Sequence, residues 1–230
     1  CPYKDGEREN HMLTVNHIIT GYGKKPVVKD VSFTVEKQEI VLLSGGNGSG
    51  KSTILKAVYG LLPLWKNETR EQGSVTFNEQ NITGLNTSSM LKTGIVYMPQ
   101  RKNVFENFTI DENLSIASNI YNKQESKQRI ELVYGTFPLL KKFKKRTPFS
   151  MSGGEKQILA FGCAMLHSPS LMLLDEPFAG VDTANSEILL QEIHAQQQAG
   201  VSFLIVEHKK FLFSGTLFRE ITLELGTIKK

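Results

Sequence analysis

Glu39-Ile40-Val41-Leu42-Leu43-Ser44 is a short apolar run with the length and composition of a buried strand. It passes without a break into Gly45-Gly46-Asn47-Gly48-Ser49-Gly50-Lys51-Ser52. Ser52 to Leu61 then keeps helical spacing until Gly60 and Pro63 close it. A buried strand, a glycine-rich turn and a helix in that order commit the chain to an α/β fold. The alternation continues downstream. Gly73 to Phe77, Ile95 to Met98, Leu171 to Leu174, Phe203 to Val206 and Glu220 to Leu225 read as strands. Helical stretches run from Glu155 to Leu166 and from Asn185 to Gln198. This pattern predicts a mostly parallel sheet covered by helices. Leu13 to Thr20 and Val31 to Val35 alternate apolar and polar residues, as half-buried strands do. From Ile110 to about Tyr134 the pattern is helical, with Leu114, Ile116, Ile120, Ile130 and Val133 as its apolar positions. It reads as a helical subdomain, about residues 101–150, inserted into the core.

The glycine loop fits G-x-x-x-x-G-K-[ST] at every position. Glycines let successive backbone N–H groups turn inward as an anion nest, and the following helix adds its positive end. In such loops the lysine, here Lys51, reaches the β and γ phosphates of a nucleotide, and the hydroxyl, here Ser52, ligates Mg²⁺. Gly45, Gly46, Asn47, Gly48, Ser49, Gly50 and Thr53 complete the expected phosphate-binding set. Leu171 to Asp175 is a buried strand ending in a carboxylate. On a parallel sheet that carboxylate falls at the edge carrying the phosphate loop, where Asp175 is expected to hold Mg²⁺ through its water shell. Glu176 is the next residue, and a carboxylate there can orient or deprotonate an attacking water.

Met151-Ser152-Gly153-Gly154-Glu155, placed before the Asp-Glu strand, resembles the signature of the ABC ATPase family. The resemblance covers the chain from Leu13 onward. The family pattern usually reads Leu-Ser-Gly-Gly-Gln, so Met151 and Glu155 depart from it. The resemblance implies a P-loop NTPase of the ABC type, with a mostly parallel core, antiparallel N-terminal strands and an inserted helical subdomain, in which Ser152, Gly153 and Gly154 bind the γ phosphate of ATP held by another subunit. Two glycines at a helix start, exposing main-chain donors and a helix dipole, suit that task. It also implies roles for single residues. Tyr22 matches the aromatic that stacks on adenine, Gln100 the glutamine that contacts Mg²⁺ or water, Asp182 the aspartate that communicates across a dimer, and His208 the histidine that senses the γ phosphate. The expected machine is an ATPase with ATP and Mg²⁺ as cofactors. Its expected partners are a second ABC ATPase subunit, identical or paralogous, integral membrane permease subunits and, for an uptake system, a substrate-binding protein. Its place would be the cytoplasmic face of the cell membrane.

Gly94 to Phe105 resembles the branched-chain amino acid uptake ATPases, although those often carry Glu where Gln100 stands. Leu174 to Asp182 resembles the lipopolysaccharide-export ATPase. The substrate and the direction of transport are left open. A soluble ABC ATPase, such as an iron–sulfur assembly factor, is the alternative. Long coiled-coil or zinc-binding insertions, which mark DNA-repair members, are missing from the sequence. A net charge of +4 is only weak evidence for a nucleic-acid partner, since ATP or an anionic lipid surface would attract it equally well, and no nucleic acid is expected. No apolar run approaches the ~20 residues that span a bilayer. Residues 1–11 read as a cloning-derived or disordered tail before a domain at 12–230, and no room is left after Glu220 to Leu225 for a C-terminal regulatory domain. The two cysteines, Cys1 and Cys163, are too far apart to suggest a disulfide framework or a metal site, and Cys163 is expected to be buried and reduced. The run Lys141 to Arg146 is expected to be a solvated basic face. Val104, Phe105 and Phe108 read either as packing inside the helical subdomain or as a docking surface for a permease helix.

Overall fold

Two sheets organise the chain, seen in a computed structural model whose described residues are 11–67, 69, 71–101 and 103–229. β1 (His11–Tyr22) and β2 (Lys25–Glu36) form a long antiparallel hairpin. β3 (Ile40–Gly45) leads into the phosphate loop and α1 (Lys51–Val58). β4 (Ser74–Phe77) and β5 (Gln80–Asn81) return to the hairpin, giving a four-stranded sheet in the order β2-β1-β4-β5. α2 (Thr87–Thr93), absent from the sequence reading, is capped by Asn86 and leads to β6 (Ile95–Met98). Three helices follow: α3 (Ile110–Ala117), α4 (Lys123–Thr136) and α5 (Pro138–Lys142). The chain re-enters the core through α6 (Gly153–Met165), β7 (Leu171–Asp175), α7 (Thr183–Gln198), β8 (Ser202–Val206), β9 (Arg219–Glu224) and β10 (Thr227–Ile228).

The second sheet has the order β10-β9-β3-β8-β7-β6. All its pairings are parallel except β9 with β10. Its central strands are buried on both faces, which is why they read as unbroken apolar runs. Ile40, Leu42, Met172, Leu174, Phe203 and Ile205 point into a core shared with α3 to α7. Val41, Leu43, Leu171, Leu173, Leu204 and Val206 point the other way, into a core shared with α1 and the antiparallel sheet. The fold is the α/β one expected: a mostly parallel core, antiparallel N-terminal strands and a block of helices inserted between β6 and α6.

Locally, some expectations change and others hold. The helical stretch from Ile110 is two helices, because Asn122 takes the N-cap position of α4 and accepts from the N–H of Glu125. Ile120 lies in the break and is exposed, whereas Leu114 and Val133 are buried. Phe105 and Phe108 do not pack the subdomain core: they are 55% and 45% exposed and meet edge to face at 5.9 Å. Only Val104 of that trio packs against the core. Cys163 is a free thiol, only partly buried against the core, and its desolvation pushes the thiol pKa up to about 12. The run Lys141 to Arg146 is solvated, with the cations of Lys142 and Arg146 over the Phe143 ring. His11, counted with the tail in the sequence reading, is already in β1, where it pairs with Glu36. Residues 1–10 lie outside the described residues.

Candidate active site

Strand register builds the site. Leu43 pairs with Val206, Val206 pairs with Asp175, and Leu174 pairs with Met98. The carboxyl ends of β3, β8, β7 and β6 therefore lie side by side. The residues just beyond them are the phosphate loop, Glu207-His208, Glu176 and Pro99-Gln100. Distant stretches of sequence meet at one sheet edge for this reason alone.

The phosphate loop depends on glycine where the chain has no alternative. Gly45 has φ 137°, and a Cβ there would lie 2.2 Å from the Leu223 carbonyl oxygen. Gly48 and Gly50 also adopt positive φ, 78° and 106°. Lys51 is buried and folds back over the loop, donating to the carbonyl oxygens of Gly45 at 3.0 Å and Gly46 at 2.9 Å. Burial lowers its pKa, while Glu176 and Asp175 act in the opposite sense. Among the described residues, the Ser49 hydroxyl is the one buried side-chain polar atom without a hydrogen-bond partner. A nest of backbone donors, a buried cation and a spare hydroxyl fit an anionic phosphate chain.

Ser52 and Asp175 are brought together across 123 residues of sequence: the hydroxyl donates to Asp175 Oδ1 at 2.7 Å. The Tyr97 hydroxyl donates to Asp175 Oδ2 at 3.2 Å, and burial together with that carboxylate pushes the phenol above its ordinary range. One hydroxyl and one carboxylate make a poor all-protein metal cage, and no cluster of three or more His, Cys, Asp or Glu occurs among the described residues. The set does fit Mg²⁺, which keeps waters and takes one or two protein oxygens plus substrate phosphates.

Glu176 is the hub of the remaining polar contacts. Gln100 Nε2 donates to its Oε2 at 2.5 Å, and His208 Nε2 lies 3.4 Å from its Oε1. Its backbone sits at φ 50°, a left-handed conformation unusual for a residue with a Cβ. The backbone of Gln100 is tied to α6, because Gln157 Nε2 donates to its carbonyl at 3.4 Å. Asn103 bridges Gln157 Oε1 and the Pro99 carbonyl. Sequence reading missed Gln157, Asn103 and Tyr97. A polar residue interrupting the apolar face of α6 was the available signal for Gln157. Tyr22 ends β1 and is 50% exposed, with the Lys56 ammonium of α1 at 3.4 Å from its hydroxyl.

The signature residues form a separate group. Ser152 caps α6: its hydroxyl accepts from the N–H of Glu155 at 3.2 Å, and Glu155 accepts from the N–H of Ser152 at 2.7 Å. This reciprocal box accounts for Glu155, whose carboxylate closes it well. Gly153 and Gly154 are required for packing. A Cβ on Gly153 would lie 2.8 Å from the Gly180 carbonyl oxygen, and one on Gly154 would lie 2.7 Å from Asn185 Cβ. Asp182 caps α7, accepting from the N–H of Asn185 at 3.0 Å and from its Nδ2 at 2.6 Å. Those bonds hold its carboxyl below the usual range. Ser152, Gly153, Gly154 and Asp182 thus make one cluster. Lys51, Ser52, Asp175, Glu176, Gln100 and His208 make another.

The family model for ABC transporters matches residues 28–179. A probable branched-chain amino acid transport ATP-binding protein, LivF, of Archaeoglobus fulgidus is 37% identical over 85% of this chain and 81% of its own length. BraG of Pseudomonas aeruginosa, a high-affinity branched-chain amino acid transport ATP-binding protein, is 33% identical over 94% of this chain and 91% of its own. LptB of Escherichia coli K12, the ATP-binding protein of a lipopolysaccharide export system, is 31% identical over 85% and 80%. Among solved structures, a nucleotide-free ATP-binding cassette from an ABC transporter matches with a TM-score of 0.85 at 24% identity, over 96% of this chain and 90% of that one. The ATP-binding subunit of another ABC transporter matches with a TM-score of 0.78 at 28% identity, over 95% and 88%. The chain belongs to the ABC transporter family. Within that family it is an ATP-binding subunit and an ATPase. These relatives are all named for transport, and the soluble alternative finds no support among them.

Proposed function

We propose that this subunit hydrolyses ATP at two composite sites formed when two such subunits close face to face, and that closure and hydrolysis drive a separate membrane permease. The observation that carries the reading is the division of the site residues into two clusters. The Lys51–Glu176 cluster has the means to bind and cleave a triphosphate. The Ser152–Gly154 cluster is a set of helix-start donors that, among the described residues, makes no hydrogen bond to the phosphate loop. Pairing two chains head to tail would give each nucleotide both clusters.

In this reading an incoming triphosphate takes the place of the Gly45 and Gly46 carbonyls as the partner of Lys51. Loop N–H groups and the start of α1 hold the remaining phosphate charge. Ser52 and Asp175 would hold Mg²⁺, which supplies charge neutralisation at the phosphates. Glu176 accepts the proton of the attacking water, and Gln100 and His208 orient its carboxylate from either side. Tyr22 offers its exposed ring to the adenine. Asp182 lies beside the signature glycines and would report closure to the partner subunit.

The membrane partner is expected at the exposed Phe105–Phe108 pair. The turn carrying it is fixed by Asn113, which accepts from the N–H of Phe105 and donates to the carbonyls of Phe105, Phe108 and Thr109. Among the described residues no helix is long and apolar enough to cross a membrane. The subunit would sit peripherally on the cytoplasmic face, against its permease. Two of the relatives are named for branched-chain amino acid transport, which makes amino acid uptake the cargo class to examine first, by identifying chains that co-purify from membranes. The test of the catalytic reading is Glu176→Gln. It should bind ATP, accumulate as an ATP-bound dimer in light scattering, and turn over on the order of 10²- to 10⁴-fold more slowly. Wild-type turnover would remove Glu176 from this role.

A further inference from the structure

Glu207 and Lys209 flank His208, and both side chains reach back to the segment that carries Glu176. Glu207 is buried. Its Oε2 accepts from the Phe178 N–H at 3.3 Å, and its Oε1 accepts from the N–H groups of His208 at 2.7 Å and Lys209 at 2.9 Å. Lys209 Nζ donates to the Phe178 carbonyl at 3.0 Å. Both polar groups of the Phe178 backbone are therefore held by the two neighbours of His208. On the strand side, the Val206 carbonyl accepts from the Glu176 N–H at 2.9 Å. The Phe178 ring is fully buried and stacks edge to face on Phe213 at 5.7 Å, so the segment being gripped has little freedom of its own.

A buried carboxylate carries a desolvation cost that an apolar residue at the same place would not. Glu207 does not meet the nucleotide, because it accepts three main-chain donors inside the fold. Its effect must pass through the residues it holds. We propose that Glu207, assisted by Lys209, is a positioning residue that fixes the His208 loop against the Glu176 segment, keeping the Glu176–His208 pair in register for hydrolysis. This rests on the catalytic reading of that pair given above. The His208 side chain is itself 41% exposed and 3.4 Å from Glu176, so its placement depends on its backbone. A misplacement of about 1 Å at such a pair can cost on the order of 100-fold in rate.

The test is Glu207→Gln, alone and combined with His208→Ala, in steady-state ATPase assays of the full chain with thermal melts alongside. The amide keeps the side-chain shape but turns an N–H₂ toward a backbone donor. The variant should fold, keep the KM for ATP, and lose kcat by on the order of 10- to 100-fold. In the His208→Ala background the same change should cost nothing further, which a merely structural role would not produce. Wild-type kcat in a folded Glu207→Gln enzyme would overturn the inference while His208→Ala remains impaired. So would an equal loss in both backgrounds. Full turnover by His208→Ala alone would instead remove the reading of the pair. Should Glu207→Gln not fold, Lys209→Met breaks the outer tie of the same clasp. It should lower kcat without changing KM, and an unchanged kcat there would overturn the inference equally.

Discussion

Gly154→Ala should separate the two half-sites. An alanine Cβ at position 154 would lie 2.7 Å from both Cβ and Nδ2 of Asn185, inside any tolerable contact. Asn185 cannot simply swing away, because its Nδ2 donates to Asp182 and its N–H is the cap contact of α7. Either α6 shifts off α7 or the Asn185–Asp182 bond breaks. Overpacking of this kind costs about 1–3 kcal/mol. For a chain of 230 residues, a 2 kcal/mol loss lowers Tm by about 6 °C. The phosphate loop is held by other contacts, so ATP affinity of the isolated subunit should stay at the wild-type level. ATP-dependent dimerisation and turnover, which in the proposed two-subunit site need the signature surface intact, should fall together. Melting by calorimetry, nucleotide binding by titration calorimetry and light scattering with ATP decide the matter. An unchanged Tm would refute the packing argument. Loss of ATP binding by the monomer would refute the claim that the two clusters serve different nucleotides.

Lys51→Ala removes the buried ammonium and its charge-assisted bonds, worth about 1.5–3 kcal/mol, so ATP affinity should fall by up to on the order of 100-fold while the fold survives. Near-normal affinity in calorimetry would sink the phosphate-loop assignment. Tyr22→Ala should weaken ATP and GTP alike by about 1–3 kcal/mol, because stacking recognises a ring face; equal affinities for wild type and variant would deny Tyr22 that role. Phe105→Ala should leave ATP binding by the isolated subunit intact and lower the ATPase of the reconstituted membrane complex. No difference between the complexes would move the docking surface elsewhere.

The central strands and the phosphate loop were legible because both are local patterns. β3, β7 and β8 are buried on two faces, each carries an unbroken apolar run, and each leads into a site residue: Gly45, Asp175 and, two residues past β8, His208. Their alignment at one edge follows from parallel pairing, so the meeting of Ser52 with Asp175 could be expected. Other features were hidden because they are relations between distant segments. Gly153 and Gly154 could be read only as helix-start donors; their close approach to Gly180 and Asn185 exists only once α6 and α7 pack. Glu207 is the neighbour of His208 in sequence, but nothing local says that its carboxylate turns inward to Phe178. α2 is seven residues of mostly polar sequence, too short for periodicity to show. Phe105 and Phe108 were ambiguous for the opposite reason, since apolar residues read the same whether buried or offered to a partner.

The left-handed backbone at Glu176 sets durability against activity. A residue with a side chain held at φ 50° stores about 1–2 kcal/mol that glycine would not. Glu176→Gly should therefore yield a chain that melts later and no longer cleaves ATP. Screening variants for heat resistance alone would favour that change and return a sturdier protein with no motor. The same relief is open at Gln38 and Leu225, at φ 58° and 48° and outside the proposed site, so robustness can be sought there without touching Glu176.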